Sequence, residues 1–296
     1  MVSVIITTYN REQTIEKSVK SILGQTYRDI ELIVVDDGST DGTESIMQSI
    51  DDQRLKYFRY SKNQGRCRAL NYGLEKATGD FITFHDSDDV CYPTRIEKQW
   101  NYLMNSGADA VICQMNRYLE SDMSFISVFP ANIKHEGILT QKEIVSGSKV
   151  SPQCLMIKRE IADKCKFDED LKRLVDWDYS INVSQYYKIA FMKEVLVDVY
   201  LREDSITMSD ICDNNRIHAL WKMLIEKYQD IWLKYPCEHL SNLYNLRRYL
   251  IKRNGISNMM VERKIYQYDR SIKQKVYLGL TFTKTIKIYY LFRGDK

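Results

Sequence analysis

Two aspartates separated by a single residue follow an apolar stretch in the first third of the chain. Asp86 and Asp88 come directly after the run Phe81–His85. Hard divalent cations prefer carboxylate oxygen, and a diphosphate can supply the remaining ligands. The spacing is therefore compatible with a divalent-cation site at the end of a strand. The alternative is a solvated acidic turn that precedes the next helix.

A second acidic pair ends an earlier apolar run. Asp36 and Asp37 lie in VVDDGSTDGT, before glycine, serine and a further aspartate. Such residues are typical of a plain strand-to-helix turn. However, two adjacent carboxylates at the end of an apolar strand are costly unless something binds them. The imide N–H of a nucleobase is one suitable donor.

A basic cluster stands between these two acidic pairs. In KNQGRCRALNYG, Gly65 permits a tight turn, and Arg66 and Arg68 open a helical segment. A helix start attracts phosphate, and a guanidinium holds phosphate through charge-assisted hydrogen bonds. The segment is therefore a candidate phosphate site, whereas two solvent-facing arginines are the alternative.

Alternating strands and helices must position these clusters. The β-rich runs at residues 2–9, 30–37, 56–60 and 80–86 are separated by amphipathic segments, such as the one with Ile15, Val19 and Ile22 at helical spacing. This order predicts an α/β fold with a mainly parallel sheet flanked by helices. Because ligands bind beyond the carboxyl ends of such strands, the clusters are expected to converge there.

The second half of the chain has a less regular order. After Gly107, strand-like runs and mixed segments are expected to complete the sheet and carry the acceptor side of a cleft. From about Asp213 the pattern predicts a helical appendage, with this apolar stripe: Ile217, Leu220, Trp221, Leu224, Ile225, Tyr228 and Ile231. The tail from Lys275 to Lys296 interleaves lysines with aromatic residues, which suggests contact with an anionic membrane surface. A helical lid or a dimerisation element is the alternative.

Composition sets the broad class. The chain has 296 residues, 44% of them hydrophobic, and a net charge of +3, so bulk charge does not imply nucleic acid as a partner. No apolar run is long enough to span a bilayer, and the first ten residues are interpreted as a strand rather than a signal peptide. Seven cysteines without CxxC pairs favour free thiols in a reducing compartment, and four histidines show no zinc spacing. A cytoplasmic location is therefore expected, including a peripheral position on the inner face of the membrane.

Several motifs in a fixed order resemble a known family. TTYNRE, VVDDGSTDGT, NQGRCRALNYG and DFITFHDSDD resemble the inverting family 2 of nucleotide-sugar glycosyltransferases, which has the GT-A (Rossmann-like) fold. Weaker matches follow at PQCLMIKRE, FDEDL, VDWDYS and YLREDSIT. The resemblance covers the first two thirds of the chain. It implies a GT-A domain at 1–210, with a donor half at 1–107 and an acceptor half at 108–210, followed by a helical region at 211–296.

The resemblance also implies residue roles on the donor side. Asp37 would accept from the uracil imide, and Asp88 would coordinate the Mn²⁺ or Mg²⁺. Asp86 would bind the ribose, or the metal through water. The full set of implied donor-binding residues is Thr7, Tyr9, Asp37, Arg66, Asp86 and Arg202.

The catalytic base is implied by VDWD. Asp176 matches the position of the family's general base, and Asp178 is the alternative. The family often has Glu before this aspartate, where this chain has Val175, and often has Arg six residues after it, where this chain has Asn182. These departures concern the acceptor side only.

The resemblance predicts a metal-dependent inverting transfer of a hexosyl or N-acetylhexosaminyl group. The donor would be a nucleotide-sugar, with UDP favoured by the habit of the family, and the acceptor a hydroxyl of a glycan or lipid-linked glycan in bacterial surface polysaccharide or glycan synthesis. Two alternatives remain open. One is a non-catalytic sugar-nucleotide-binding or scaffold protein. The other is a phosphatase with an aspartate nucleophile, since Asp86–Val90 also resembles the loop of that class.

Overall fold

A computed structural model of the chain describes residues 1–202, 220, 223–254 and 259–268. The chain falls into two compact units. One consists of Met1–Ile144 and Ser148–Ile211, and the other of Val145–Gly147 and Cys212–Lys296. The candidate site residues from the sequence all lie in the first unit. The predicted domain boundary at residue 210 stays a prediction.

Four parallel strands form the first half of the sheet. They lie in the order β3-β2-β1-β4, with helices in the crossovers. Every residue of β1 and β2 is buried, as expected for Val- and Ile-rich strands covered on both faces. The elements are β1 (Val2–Thr8), α1 (Ile15–Leu23), β2 (Ile30–Asp36), α2 (Thr43–Ser49), β3 (Leu55–Arg59), α3 (Arg66–Lys76) and β4 (Phe81–Asp86).

The second half of the sheet is mixed. Its elements are β5 (Val90–Cys91), α4 (Arg95–Ser106), β6 (Ala110–Leu119), β7 (Phe125–Phe129), β8 (Gly137–Ile138), α5 (Gln141–Val145), a 3₁₀ turn (Pro152–Cys154), β9 (Leu155–Lys158), α6 (Arg159–Lys164), α7 (Val175–Ser184) and β10 (Ile189–Leu201). The path continues β4-β9-β6-β10-β5, while β7 pairs with β6 and β8 with β10. The α/β fold is confirmed, and the purely parallel part ends at β4.

The strand β9 explains why the site edge extends across both halves. It runs antiparallel to β4 and to β6, so β6 points the same way as β4, and β10 runs parallel to β6. The carboxyl ends of β1, β2, β4, β6 and β10 therefore share one edge of the sheet. This edge is called the carboxyl edge below.

Two hydrophobic layers cover the sheet. One face packs against α3, α6 and α7, through residues that include Leu70, Ile161 and Tyr179. The other packs against α1, α2 and α4, through residues that include Val19 and Ile96. Because α3 and α7 cover the same face of the sheet, the first residues of both helices can contribute to one site at the carboxyl edge.

The second unit is helical in its described part, which confirms the predicted helical character of the C-terminal region. It contains helices Gln229–Lys234, Pro236–Asn254 and Met259–Tyr268, with a small core around Leu243 and Ile265. None of the helices in the described ranges combines the length and apolar character that crossing a bilayer requires. Ile217 and Trp221 of the predicted stripe, and the basic aromatic tail, lie outside the described residues.

Candidate active site

The ends of three neighbouring strands bring the polar clusters together. Thr7 of β1 is in register with Asp86 of β4 on one side and with Val35 of β2 on the other. Thr8 is in register with Asp36. Because the three strands are parallel and in this register, their polar ends lie together at the carboxyl edge. These ends carry Thr7, Asp36–Asp37 and Asp86.

The adjacent aspartates after β2 have different partners. Asp36 is fully buried and accepts hydrogen bonds from the Ser39 N–H (2.8 Å) and the Tyr57 hydroxyl (2.6 Å). Asp37 is 4% exposed, and its two oxygens accept the backbone N–H groups of Gln64 (2.7 Å) and Gly65 (2.9 Å). Each oxygen of Asp37 keeps a lone pair for a further donor. Asp37 thus fixes the loop that leads into α3.

Glycines let this loop approach closely. Gly38 has φ +79°, and a Cβ there would stand 2.6 Å from the carbonyl carbon of Lys62. Gly65 has φ +101° immediately before α3. Both are left-handed conformations that glycine adopts without steric cost. The backbone that presents Arg66 is therefore set by Asp37 and two glycines.

Arg66 forms the central ion pair of the site. Its Nη2 donates to Asp86 Oδ1 at 2.7 Å, with both side chains partly exposed. Asp86 raises the pKa of Arg66, and Asp176 and Asp88 act in the same direction. The guanidinium is therefore permanently charged and is attracted by three carboxylates.

The loop after β4 concentrates negative charge. Arg11 Nε stands 3.3 Å from Asp88 Oδ2. Burial and the neighbouring Asp86 raise the pKa of Asp88. Asp89 is buried, and its Oδ1 accepts the N–H of Tyr200, while its Oδ2 has no hydrogen-bond partner among the described residues. A cation bound here would relieve this repulsion.

A buried arginine supports that loop from behind. Arg95 is fully buried at the start of α4 and donates to Thr83 Oγ1 (2.8 Å) and the Phe84 carbonyl (3.0 Å). It also lies 3.3 Å from His85 Nδ1, and His85 Nε2 lies 3.1 Å from the Asp89 carbonyl. Burial and Arg95 lower the pKa of His85 to about 3, so the ring is neutral. These bonds fix the end of β4 and hence Asp86.

Asp176 lies in the first turn of α7, on the same face of the sheet as α3. Ser151 Oγ donates to Asp176 Oδ2 at 3.2 Å. Burial raises the pKa of Asp176, Arg66 lowers it, and Asp86 raises it. The preceding Leu174 has φ +62°, a conformation that is strained for a branched side chain. A half-buried carboxylate with a raised pKa beside a strained backbone position is a combination that is common at functional sites.

The residues around Asp176 separate it from the alternative base. Asp178 is 1% exposed, whereas Asp176 is only partly buried. Val175, which stands where the family often has Glu, packs against the hydrophobic layer. Access to a substrate hydroxyl therefore favours Asp176 over Asp178.

Two predicted donor-binding residues lie at the margins. Tyr9 is 42% exposed and extends beyond β1, where Arg11 Nη1 donates to its carbonyl at 3.5 Å. Arg202 follows β10, and its Nε stands 3.5 Å from Glu120 Oε2. Both lie at the carboxyl edge, and their roles in donor binding stay predictions.

Comparison with known proteins decides the family. The model of the family described as "Glycosyl transferase family 2" matches residues 3–165, more than half of the chain. This chain belongs to glycosyl transferase family 2. The family 2 assignment makes it a glycosyltransferase and disfavours the phosphatase alternative.

Individual relatives agree with the family 2 assignment. An uncharacterised glycosyltransferase of Rickettsia typhi is 30% identical over 77% of this chain and 72% of that protein. A Campylobacter jejuni protein named GalNAc(5)-diNAcBac-PP-undecaprenol beta-1,3-glucosyltransferase is 47% identical over 29% of each chain. The matched region covers less than half the length of four of the similar curated proteins.

A solved structure has the same fold. Staphylococcus aureus TarS 1–349, in complex with UDP-GlcNAc, superposes with a TM-score of 0.76 at 18% identity, covering 99% of this chain and 92% of that one. This likeness confirms the GT-A fold that the family 2 resemblance predicts.

The residues at the carboxyl edge fit a divalent cation in part. Within the described part of the chain, no three His, Cys, Asp or Glu side chains are grouped so as to hold a metal by themselves. Asp86 and Asp88 supply hard oxygen ligands, and Mg²⁺ is commonly held by one or two carboxylates plus substrate phosphates. The crowded carboxylates and the unpartnered Asp89 Oδ2 are consistent with a cation that the chain and substrate phosphates would bind together.

The sequence did not reveal three interactions at this site. Arg11 pairs with Asp88, Ser151 bonds to Asp176, and Arg117 of β6 is close enough to lower the pKa of Asp176. Arg11 stands inside TTYNRE and could have been noted as a cation beside a polar strand end. Ser151 and Arg117 have no local signal, because their partner is distant in sequence.

Proposed function

We propose that this glycosyltransferase moves a sugar from a UDP-sugar to a hydroxyl acceptor, with inversion at the anomeric carbon and with Mg²⁺ or Mn²⁺ at the donor diphosphate. The observation that supports this most is electrostatic. Asp176 of the second half interacts electrostatically with the Arg66–Asp86 pair of the first half, since Asp176 raises the pKa of Arg66, while Arg66 lowers and Asp86 raises the pKa of Asp176. A base beside a diphosphate cradle is what a single displacement needs.

The donor is proposed to lie along the ends of β1, β2 and β4. Thr7, Tyr9 and Asp37 would contact the base, with the free lone pairs of Asp37 accepting from the uracil imide. Arg66 would turn from Asp86 towards the diphosphate, and Arg202 would approach the phosphates from the end of β10. The complex of TarS with UDP-GlcNAc supports uridine as the nucleoside.

Asp176 is proposed to take the acceptor proton. The hydroxyl oxygen attacks the anomeric carbon as its proton passes to the carboxylate, and the bond from that carbon to the UDP oxygen breaks. Burial raises the pKa of Asp176, which brings its basicity nearer to the working pH. One displacement in line inverts the configuration, and no covalent intermediate forms.

The metal would be held by Asp88, with Asp86 binding through water or to the ribose. A bound Mg²⁺ or Mn²⁺ neutralises charge that develops on the leaving diphosphate. The contribution of the chain is to present two carboxylates from a loop that Arg95 and His85 fix. The ion pair between Arg11 and Asp88 would break when the cation binds.

The acceptor is proposed to be a glycan hydroxyl in bacterial surface polysaccharide or glycan synthesis. The name of the Campylobacter relative includes a diphosphate-linked undecaprenol, which supports a lipid-linked acceptor. Such an acceptor is presented at a membrane, so a cytoplasmic enzyme with peripheral contact through its basic aromatic tail fits this proposal. Residues 211–296 would form the helical C-terminal region that makes this membrane contact.

A nucleotide-binding measurement tests the donor and the metal together. The melting temperature should rise with UDP plus Mg²⁺ or Mn²⁺, and rise less with UDP in a chelator or with ADP or GDP, because ligands that bind only the folded state stabilise it. Asp88→Asn should remove the metal-dependent part, while Asp163→Asn, at an exposed position of α6, should keep it. Equal shifts with and without metal would refute the metal site, and a preference for purine nucleotides would refute uridine.

A further inference from the structure

Arg117 is the feature of the carboxyl edge that the proposed donor chemistry does not use. It stands near the end of β6, in the half of the chain that follows residue 107, and its guanidinium lies over the ring of Phe129 at 4.0 Å. Phe129 belongs to β7, which pairs antiparallel with β6. This contact places the guanidinium against the β6–β7 hairpin, and its N–H groups are left for hydrogen bonds.

The other arginines at this edge each face a carboxylate. Arg66 pairs with Asp86, Arg11 with Asp88, and Arg202 with Glu120. Each of these three guanidinium groups is therefore paired with a carboxylate before any ligand binds.

Arg117 differs from them. Over the described ranges, no side chain or carbonyl accepts a hydrogen bond from its guanidinium, and no carboxylate forms an ion pair with it. Burial lowers the pKa of Arg117, and Asp176 opposes this effect from a distance. The side chain is half-buried, and none of its nitrogens is among the buried atoms that lack a partner, so its five N–H donors are accessible to a ligand. The carboxyl edge therefore holds an arginine that has no ion-pair partner among the described residues and that interacts electrostatically with Asp176.

We propose that Arg117 binds an anionic group on the acceptor, a carboxylate or a phosphate, and so directs acidic or phosphorylated acceptors to Asp176. The inference rests on the proposed function, because the acceptor must approach Asp176. The planar fork of arginine matches both oxyanions in bidentate geometry. The hairpin beside it exposes Phe125 and Ile126 at 57% and 48%, so an acceptor with apolar surface can pack next to the charge.

Equilibrium binding to the protein saturated with UDP and Mg²⁺ tests this. Saturation blocks the donor site, so an added anion cannot bind there. The probes are methyl glucoside, methyl glucuronide and glucose 6-phosphate, with dissociation constants measured by NMR titration. Glucuronide and phosphate should each bind about tenfold to a hundredfold more tightly than the neutral glucoside, the range expected for a charge-assisted bidentate pair.

Three variants assign the preference. Arg117→Met should abolish the advantage of the anionic probes, and Arg117→Lys should retain part of it, because a lysine keeps the charge but loses the fork. Arg28→Met removes an exposed arginine from the loop before β2, at the opposite edge of the sheet, and should keep the full advantage. Melting temperature and UDP affinity of each variant report on folding and on the donor site.

Each outcome either supports or overturns the binding of an anionic acceptor group by Arg117. Equal affinity of the wild type for neutral and anionic probes overturns the proposal, as does a preference that survives in Arg117→Met or disappears equally in Arg28→Met. A loss of UDP affinity in Arg117→Met, with the anion preference intact, would place Arg117 on the donor side. If only glucuronide or only phosphate benefits, the acceptor class is narrowed to that group. Failure of the wild type to bind UDP would count against the proposed function and not specifically against Arg117.

Discussion

Asp176 is partly exposed, and opposing effects of its surroundings set its pKa. Burial makes its ionised form costly, while Arg66 makes it less so. The pKa of Asp176 is raised above the ordinary value of an aspartate, which suits a base that must be deprotonated at neutral pH yet still attract a proton. The balance between burial and Arg66 is therefore the quantity to perturb.

Arg66→Gln should move the acid limb of the pH–rate profile to higher pH. A general base acts when deprotonated, so activity rises as pH increases through its pKa, and loss of Arg66 removes an interaction that lowers this pKa. The measurement is kcat against pH at saturating donor. Arg68→Gln, at an exposed position of the same helix, should leave the limb in place. A limb that stays fixed or moves to lower pH in Arg66→Gln would contradict the assignment.

At the scale of elements, the turn after β2 and the loop before α3 act as one unit. Asp37 bonds to the loop, and Gly38 allows its backbone to pass close by. The start of α3, and with it Arg66, is thereby tied to the end of β2. Disrupting this contact should weaken donor binding more than it perturbs the rest of the fold.

Gly38→Ala should weaken UDP binding by about tenfold and destabilise the protein by roughly 1–3 kcal/mol, because it adds both left-handed strain and a clash with Lys62. Gly107→Ala is a matched control. Gly107 has φ +67° with nothing within 4 Å of a built Cβ, so it should lose stability but keep its UDP affinity. Calorimetric titration with UDP and urea unfolding separate the two effects. Equal UDP affinity in both variants would show that the loop does not position the donor.

A buried carboxylate joins the strands at the opposite edge. Glu31 of β2 accepts from Ser3 Oγ (2.5 Å), Lys56 Nζ (2.6 Å) and the Thr78 N–H (2.5 Å). Burial alone would raise its pKa, but these bonds lower it to about 2. The stabilisation it provides is complete above the ordinary pKa of about 4.5 and is lost as pH falls towards 2.

Glu31→Gln should therefore lower the free energy of unfolding at pH 7 by about 2 kcal/mol and flatten its pH dependence between pH 4.5 and 2. Urea unfolding at pH 7 and pH 3 measures both quantities. Glu75→Gln, at an exposed position of α3, should behave like the wild type at each pH. If Glu31→Gln and wild type keep the same stability difference at both pH values, the buried network does not set the acid sensitivity.

At the scale of the whole molecule, the sequence predicted what depends on local periodicity. The alternation through Asp86 gave the four parallel strands, and the polar residues at their ends necessarily met. It missed β9, because Leu155–Lys158 is only four residues long and its antiparallel pairing depends on distant partners. Local patterning alone did not distinguish Asp36 from Asp37; the family resemblance singled out Asp37, and the fold shows that Asp37 is the carboxylate that bonds to the loop.

The second half of the site shows the same limit. Asp176 was predicted from its motif, whereas Ser151, which hydrogen-bonds to it, and Arg117, which lowers its pKa, lie on other parts of the chain. No spacing in the sequence connects these three residues. Contacts of this kind require the sheet order, in which β6 and β10 return to the direction of β4.

We propose Asp176 as the base of a UDP-sugar transferase. The most direct measurement compares the rate of UDP release from the donor that binds best, with and without acceptor, in the wild type, Asp176→Asn and Asp163→Asn, alongside UDP affinity. Asp176→Asn should retain its UDP affinity and lose acceptor-dependent release by about 10²-fold or more, while Asp163→Asn behaves as wild type. Acceptor-dependent release by Asp176→Asn at the wild-type rate would contradict the account.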